Sequence, residues 1–134
     1  MELNRIEEPY VFELNDSNGL KLVMDSSVSL EGKNRGMTPM QLLLGALMGC
    51  MSIDVMLVLK KQKMSPKTYR VAVDARKKEG VPTPYERIHF RIYIDKEIDV
   101  KRVNRAVDLS LNKYCSVRAS LHPDIAISYE IFGV

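Results

Sequence analysis

The run MTPMQLLLGALMGCMSIDVMLVLKKQK, residues 37 to 63, limits what this chain can become more than any other segment. It is apolar on every side of a helix, so one sheet face cannot cover it. Gln41, Ser52 and Asp54 interrupt it and amphipathic strand patterns flank it, which argues for a buried central helix over a membrane span. Its start is signalled by Thr38 as N-cap, Pro39 at the first helical position and Gln41 three residues after the cap, the pattern of a capping box. Its end is placed near Lys63, with Lys60, Lys61 and Lys63 at the negative end of the helix dipole ahead of Ser65-Pro66. Gly45 and Gly49 each cost roughly 1 kcal/mol relative to alanine. One turn apart, they suit the close approach of another helix. The chain is therefore expected to complete its core with a second copy, as a homodimer.

Around this helix the pattern is that of half-covered strands. Tyr10, Phe12 and Leu14, then Leu20, Leu22 and Met24, alternate about an Asp16-Ser17-Asn18-Gly19 turn and predict a β-hairpin. The polar stretch from Ser26 to Gly36 is a loop long enough to rim a site. Beyond the helix, Tyr69, Val71, Val73 and Ala75 alternate, as do Ile88, Phe90, Ile92 and Ile94. Asp99 is placed to cap a helix with the stripe Val100, Val103, Val107, Leu111 and Tyr114, followed by a short turn at Cys115 to Leu121 and a last strand with Ile125, Ile127, Tyr129 and Ile131. The expected order is ββ-α-ββ-α-β, an α+β fold in one domain spanning residues 1 to 134. A chain that is 46% hydrophobic and 28% charged has the composition of a soluble globular domain.

Charge and cysteine usage narrow the function classes. The net charge is only +3, and the basic groups Lys60-Lys61-Lys63 and Arg76-Lys77-Lys78 fall where elements end, without interleaved aromatic residues. They read as solvated ends, and no nucleic-acid partner is expected. The acidic start MELNRIEEPY lacks the apolar core of a signal peptide, and two cysteines far apart form neither a disulfide framework nor a CxxC motif. A cytoplasmic location with no membrane partner is the expectation.

The two thiols differ in setting. Cys50 lies about twelve residues into its helix among apolar neighbours, conditions that leave a thiol inert. Asp54, one turn on, is placed as a hydrogen-bonding partner rather than an activator. Cys115 opens the segment CSVRASL, which places it at a helix N-terminus with Arg118 nearby, features that lower a thiol pKa; a buried cysteine at a turn is the alternative. A metal site built from Cys50, Cys115 and His89 or His122 lacks ligand spacing, so no metal is expected.

The segments TPMQLLLGALMGCMSIDV and KYCSVRASL, with cysteine eleven residues after the helix-starting proline, resemble the OsmC/Ohr family of osmotically inducible and organic hydroperoxide resistance proteins. The resemblance covers most of the chain. It implies an α+β fold of intertwined homodimers, with two central helices packed inside sheets formed by both chains. It also implies thiol-dependent reduction of organic hydroperoxides or hydrogen peroxide in oxidative-stress defence. Cys50 would attack and Cys115 resolve, with an external dithiol as reductant and no bound cofactor. Some positions depart from the family pattern. The family's glutamate after the proline is Met40 here, the next position is Gln41, and the hairpin turn carries no arginine. Arg35, just ahead of the helix, is the candidate substitute for that arginine, with Gln41 and Asp54 as further supporting residues. The departures keep a second reading open: a weak or inactive binding module holding an apolar ligand at the dimer interface beside Met40, Met48 and Met51.

Overall fold

The computed structural model describes residues 1 to 134, which fall into two compact units, Met1–Gly45 and Ala46–Val134. The first holds an antiparallel sheet of β1 (Glu2–Glu7), β2 (Val11–Asn15) and β3 (Lys21–Met24) in that spatial order. The hairpin forms in the expected register, with Phe12 opposite Met24 and Leu14 opposite Leu22. Its turn is tied by Asp16, whose Oδ1 accepts from the main-chain N–H groups of Asn18 and Leu20 at 2.8 Å each. The added strand is β1, so the order is βββ-α-ββ-α-α-β rather than ββ-α-ββ-α-β. Its sequence, ELNRIE, neither alternates nor favours strand; pairing with β2 decides its state.

The loop after β3 is built around a buried carboxylate. Asp25, 3% exposed, accepts from the main-chain N–H of Ser26 at 2.7 Å, Lys33 at 2.8 Å and Arg35 at 3.2 Å. Gly36 is obligatory here, because a Cβ on it would stand 2.3 Å from the Val23 carbonyl oxygen. Burial pushes the Asp25 pKa up, but the donors from Arg35, Lys33 and Ser26 outweigh it and leave the group below the ordinary carboxylate value. The sign follows by linkage: this stabilisation is present above the carboxylate's unfolded pKa and is lost as pH falls through the lower folded one. Thermal melts from neutral into acid pH should therefore show Asp25→Asn less stable at neutral pH and less sensitive to acid than the wild type. Parallel acid profiles would remove this role.

Helix α1 (Pro39–Lys61) begins as expected. The Thr38 N–H donates to Gln41 Oε1 at 2.8 Å and the Gln41 N–H to Thr38 Oγ1 at 3.3 Å, the reciprocal pair of a capping box. It ends two residues early because Lys63 adopts a left-handed φ of 60°. The Met64 N–H then bonds the Leu59 carbonyl at 3.0 Å, a Schellman closure made without glycine. By length and composition α1 could also cross a membrane. Within the chain a single stripe is buried, Leu47, Met51, Val55 and Leu59 at successive turns. On another face Ile53 and Leu57 remain 63% and 52% exposed, and a Cβ at Gly45 or Gly49 would meet nothing within 4 Å.

In the second unit, β4 (Tyr69–Lys77) pairs antiparallel with β5 (Tyr85–Ile94), and β5 pairs parallel with β6 (Ala126–Gly133). Ile88, Phe90, Ile92 and Ile94 face the core in the expected period of two. Helix α2 (Val100–Leu109) starts at Asp99, whose Oδ1 accepts from the Lys101 N–H at 2.9 Å. Of the expected stripe, Val103 and Val107 are buried, Val100 at the helix start is 43% exposed, and the pattern changes where residues Ser110–Tyr114 form a wider π-helical turn. Ser110 continues the buried face of α2, and the turn changes the helical phase beyond it, so Tyr114 is 48% exposed. The segment after it is a short helix, α3 (Ser116–Ala119), with Cys115 as its cap.

Candidate functional site

The wide turn that ends α2 brings the two cysteines together. Cys50 Sγ, an Asp54 carboxylate oxygen and Cys115 Sγ all lie within 4.8 Å of one another. Cys50 and Asp54 reach this point from one face of α1, four residues apart. Cys115 comes from the junction of the wide turn and α3, where its N–H bonds the Ser110 carbonyl at 2.9 Å. Ser110 acts as the pivot. Its hydroxyl donates to Asp54 Oδ2 at 2.8 Å, so one residue fixes both the Cys115 backbone and the Asp54 carboxylate. On the sheet side, the Tyr69 hydroxyl donates to Ser52 Oγ at 3.2 Å and ties α1 to β4.

The thiols have unequal environments. Cys50 is half-buried, whereas Cys115 is 3% exposed. The Cys115 sulfur accepts from the Arg118 N–H at 3.3 Å, the capping position that favours a thiolate. Its pKa nevertheless goes up, to about 11, the outcome of the buried alternative rather than of the helix-end one. Burial is the chief cause, followed by the hydrogen bond with Cys50; the charges of Cys50 and Asp54 add to it, and only the Arg118 N–H opposes. The Arg118 guanidinium is turned to the carbonyls of His122 and Pro123, at 3.4 Å each.

Of the five candidate residues, the structure assembles Cys50, Asp54 and Cys115. Gln41 is committed to the helix cap, and the Arg35 side chain pairs through Nε with Glu7 Oε2 at 3.3 Å in the first unit. Both histidines are engaged away from the cluster: His89 Nδ1 lies 2.8 Å from Ser128 Oγ, and His122 Nδ1 accepts from the Asp124 N–H at 3.2 Å. Ser110 was missed by pattern reading. Its signal is a position three residues after Val107 and seven after Val103, on the buried face of α2.

A family model for OsmC-like protein matches residues 32 to 130, a span containing every member of this cluster. The chain belongs to the OsmC-like family. Protein YhfA of Escherichia coli strain K12 is 30% identical over 118 residues, covering 86% of this chain and 85% of YhfA. Among solved structures, a hypothetical protein from Aquifex aeolicus VF5 superposes with a TM-score of 0.82 at 30% identity, covering 99% and 95% of the two chains. An organic hydroperoxide resistance protein OsmC from Legionella pneumophila superposes with a TM-score of 0.73, covering 99% and 94%; at 13% identity it shows the OsmC-like fold alone.

Proposed function

We propose that this OsmC-like protein is a cysteine-dependent peroxide reductase, working as a homodimer, with Cys50 as the attacking thiol and Cys115 as the resolving one. The observation that carries the reading is the convergence of two sequence-distant thiols to within 4.8 Å. The family membership and the Legionella relative's description support the substrate class. The order of attack is supported by exposure: Cys50 is half-buried, whereas Cys115 is buried and held protonated at neutral pH. The Cys50 thiolate attacks one oxygen of the peroxide and the O–O bond breaks. An alcohol or water leaves after taking up a proton, and Cys50 becomes a sulfenic acid. The Cys115 sulfur then attacks the sulfenic sulfur, water leaves, and a disulfide remains for an external dithiol to reduce. Closure requires the sulfurs to come to about 2.05 Å from a starting separation within 4.8 Å.

The test is peroxide consumption by the purified, reduced protein with a dithiol donor, offered both hydrogen peroxide and a bulky organic hydroperoxide. Turnover well above that of free cysteine supports the reading; its absence with both peroxides removes it. The second reading, a binding module for an apolar ligand, is favoured by one feature. No lysine or arginine side chain bonds the cluster, and the only cationic neighbour on α3, Arg118, is turned to carbonyl groups.

A further inference from the structure

We propose that Cys50, Asp54 and Cys115 form a three-ligand site for a soft divalent cation, zinc above all, with a fourth position open to water. Two sulfurs and a carboxylate oxygen mutually within 4.8 Å are close to what tetrahedral zinc asks for. Zinc–sulfur bonds of about 2.3 Å and zinc–oxygen bonds of about 2.0–2.2 Å place neighbouring ligand atoms roughly 3.5–3.8 Å apart. The ligands, within 4.8 Å, therefore need to close by about 1.3 Å at most.

The surroundings match the donor set. The Ser110 hydroxyl donates to Asp54 Oδ2 at 2.8 Å and the Arg118 N–H to Cys115 Sγ at 3.3 Å. Outer hydrogen bonds of this kind orient metal ligands and are part of the site. Three potential ligand groups converge with no cationic side chain among their hydrogen-bond partners to compete with a bound cation. Thiolate donors select zinc over the hard cations magnesium and calcium. The half-exposure of Cys50 supplies an entry path. Binding releases the two thiol protons to solvent as two metal–sulfur bonds form, with no change of oxidation state.

The inference uses the same thiols as the peroxide reading but does not depend on turnover, so the decisive measurement contains no peroxide. Reduced, chelator-stripped protein is titrated with zinc by calorimetry and with cobalt by absorbance, where thiolate ligation gives a near-ultraviolet charge-transfer band. The expected result is one ion per chain with that band present, and affinity about tenfold or more weaker in Asp54→Asn. Ser110→Ala, which removes no ligand, should weaken binding to a smaller degree, with circular dichroism confirming that both variants fold. Absence of the band, or wild-type affinity in folded Asp54→Asn and Ser110→Ala, overturns the site. Should Asp54→Asn fail to fold, unchanged affinity in Ser110→Ala overturns it alone. Zinc binding without peroxide turnover would uphold this inference while ending the peroxidase reading, and the reverse result would do the opposite.

Discussion

Cys50→Ser is expected to abolish peroxide consumption, with a loss on the order of 10³-fold or more, while the protein still folds. The size of the loss follows from chemistry. A serine hydroxyl is essentially never ionised at neutral pH and is not oxidised by peroxide, so no weakened route through position 50 remains. Cys115 is a poor replacement because it is buried, and burial, the chief cause that raises its pKa, persists when Cys50 is replaced and disfavours a thiolate. The structural cost is small by comparison. Position 50 is only half-buried, so the hydroxyl of the variant avoids most of the ~1–3 kcal/mol charged for an unpaired buried polar group. The variant should melt close to the wild type and fail only in turnover. Wild-type consumption by Cys50→Ser would transfer the attack to Cys115.

The second large effect concerns assembly. Gly45, Gly49, Ile53 and Leu57 recur at every fourth position of α1, with Ile53 and Leu57 exposed and open space above both glycines. A face of this kind, on a helix whose other stripe is fully buried, fits a second copy of the same helix better than water. Burying one such side chain completely is worth about 1.5–3 kcal/mol, and a two-fold interface counts each residue twice. Sedimentation at micromolar concentration should give two chains per particle for the wild type. Ile53→Asp should dissociate it, since it places two carboxylates in the apolar contact. Gly49→Leu should weaken it through lost close approach, by more than the ~1–3 kcal/mol of ordinary overpacking. A stable wild-type monomer would contradict the dimer.

The parts of the fold legible in the sequence were those with local causes. The capping box at Thr38 and Gln41, the alternation of Ile88 to Ile94 and the Asp99 cap are each written within a few residues. What escaped depends on partners distant in sequence. Strand β1 exists because β2 offers it an edge, and the Asp25 loop because three main-chain donors fold back onto one carboxylate. The site was half legible. Cys50, Asp54 and Cys115 stood out by type and by family resemblance, and Ser110 lies on the regular buried face of α2, but the π-helical turn that carries Cys115 back to α1 leaves no mark in a 3.6-residue pattern. For Cys115 the sequence leaves two settings open, a helix N-terminus near Arg118 or a buried turn, and the burial and neighbouring Cys50 that raise its pKa come from tertiary structure.

The pairing of the two thiols is tested most directly by treating the reduced protein with one equivalent of peroxide and mapping it by mass spectrometry. The expected product is an intramolecular Cys50–Cys115 disulfide in the wild type, and in Cys115→Ser a sulfenic acid or its over-oxidised forms on Cys50. Oxidation appearing first on Cys115, or both thiols reacting no faster than free cysteine, would contradict it.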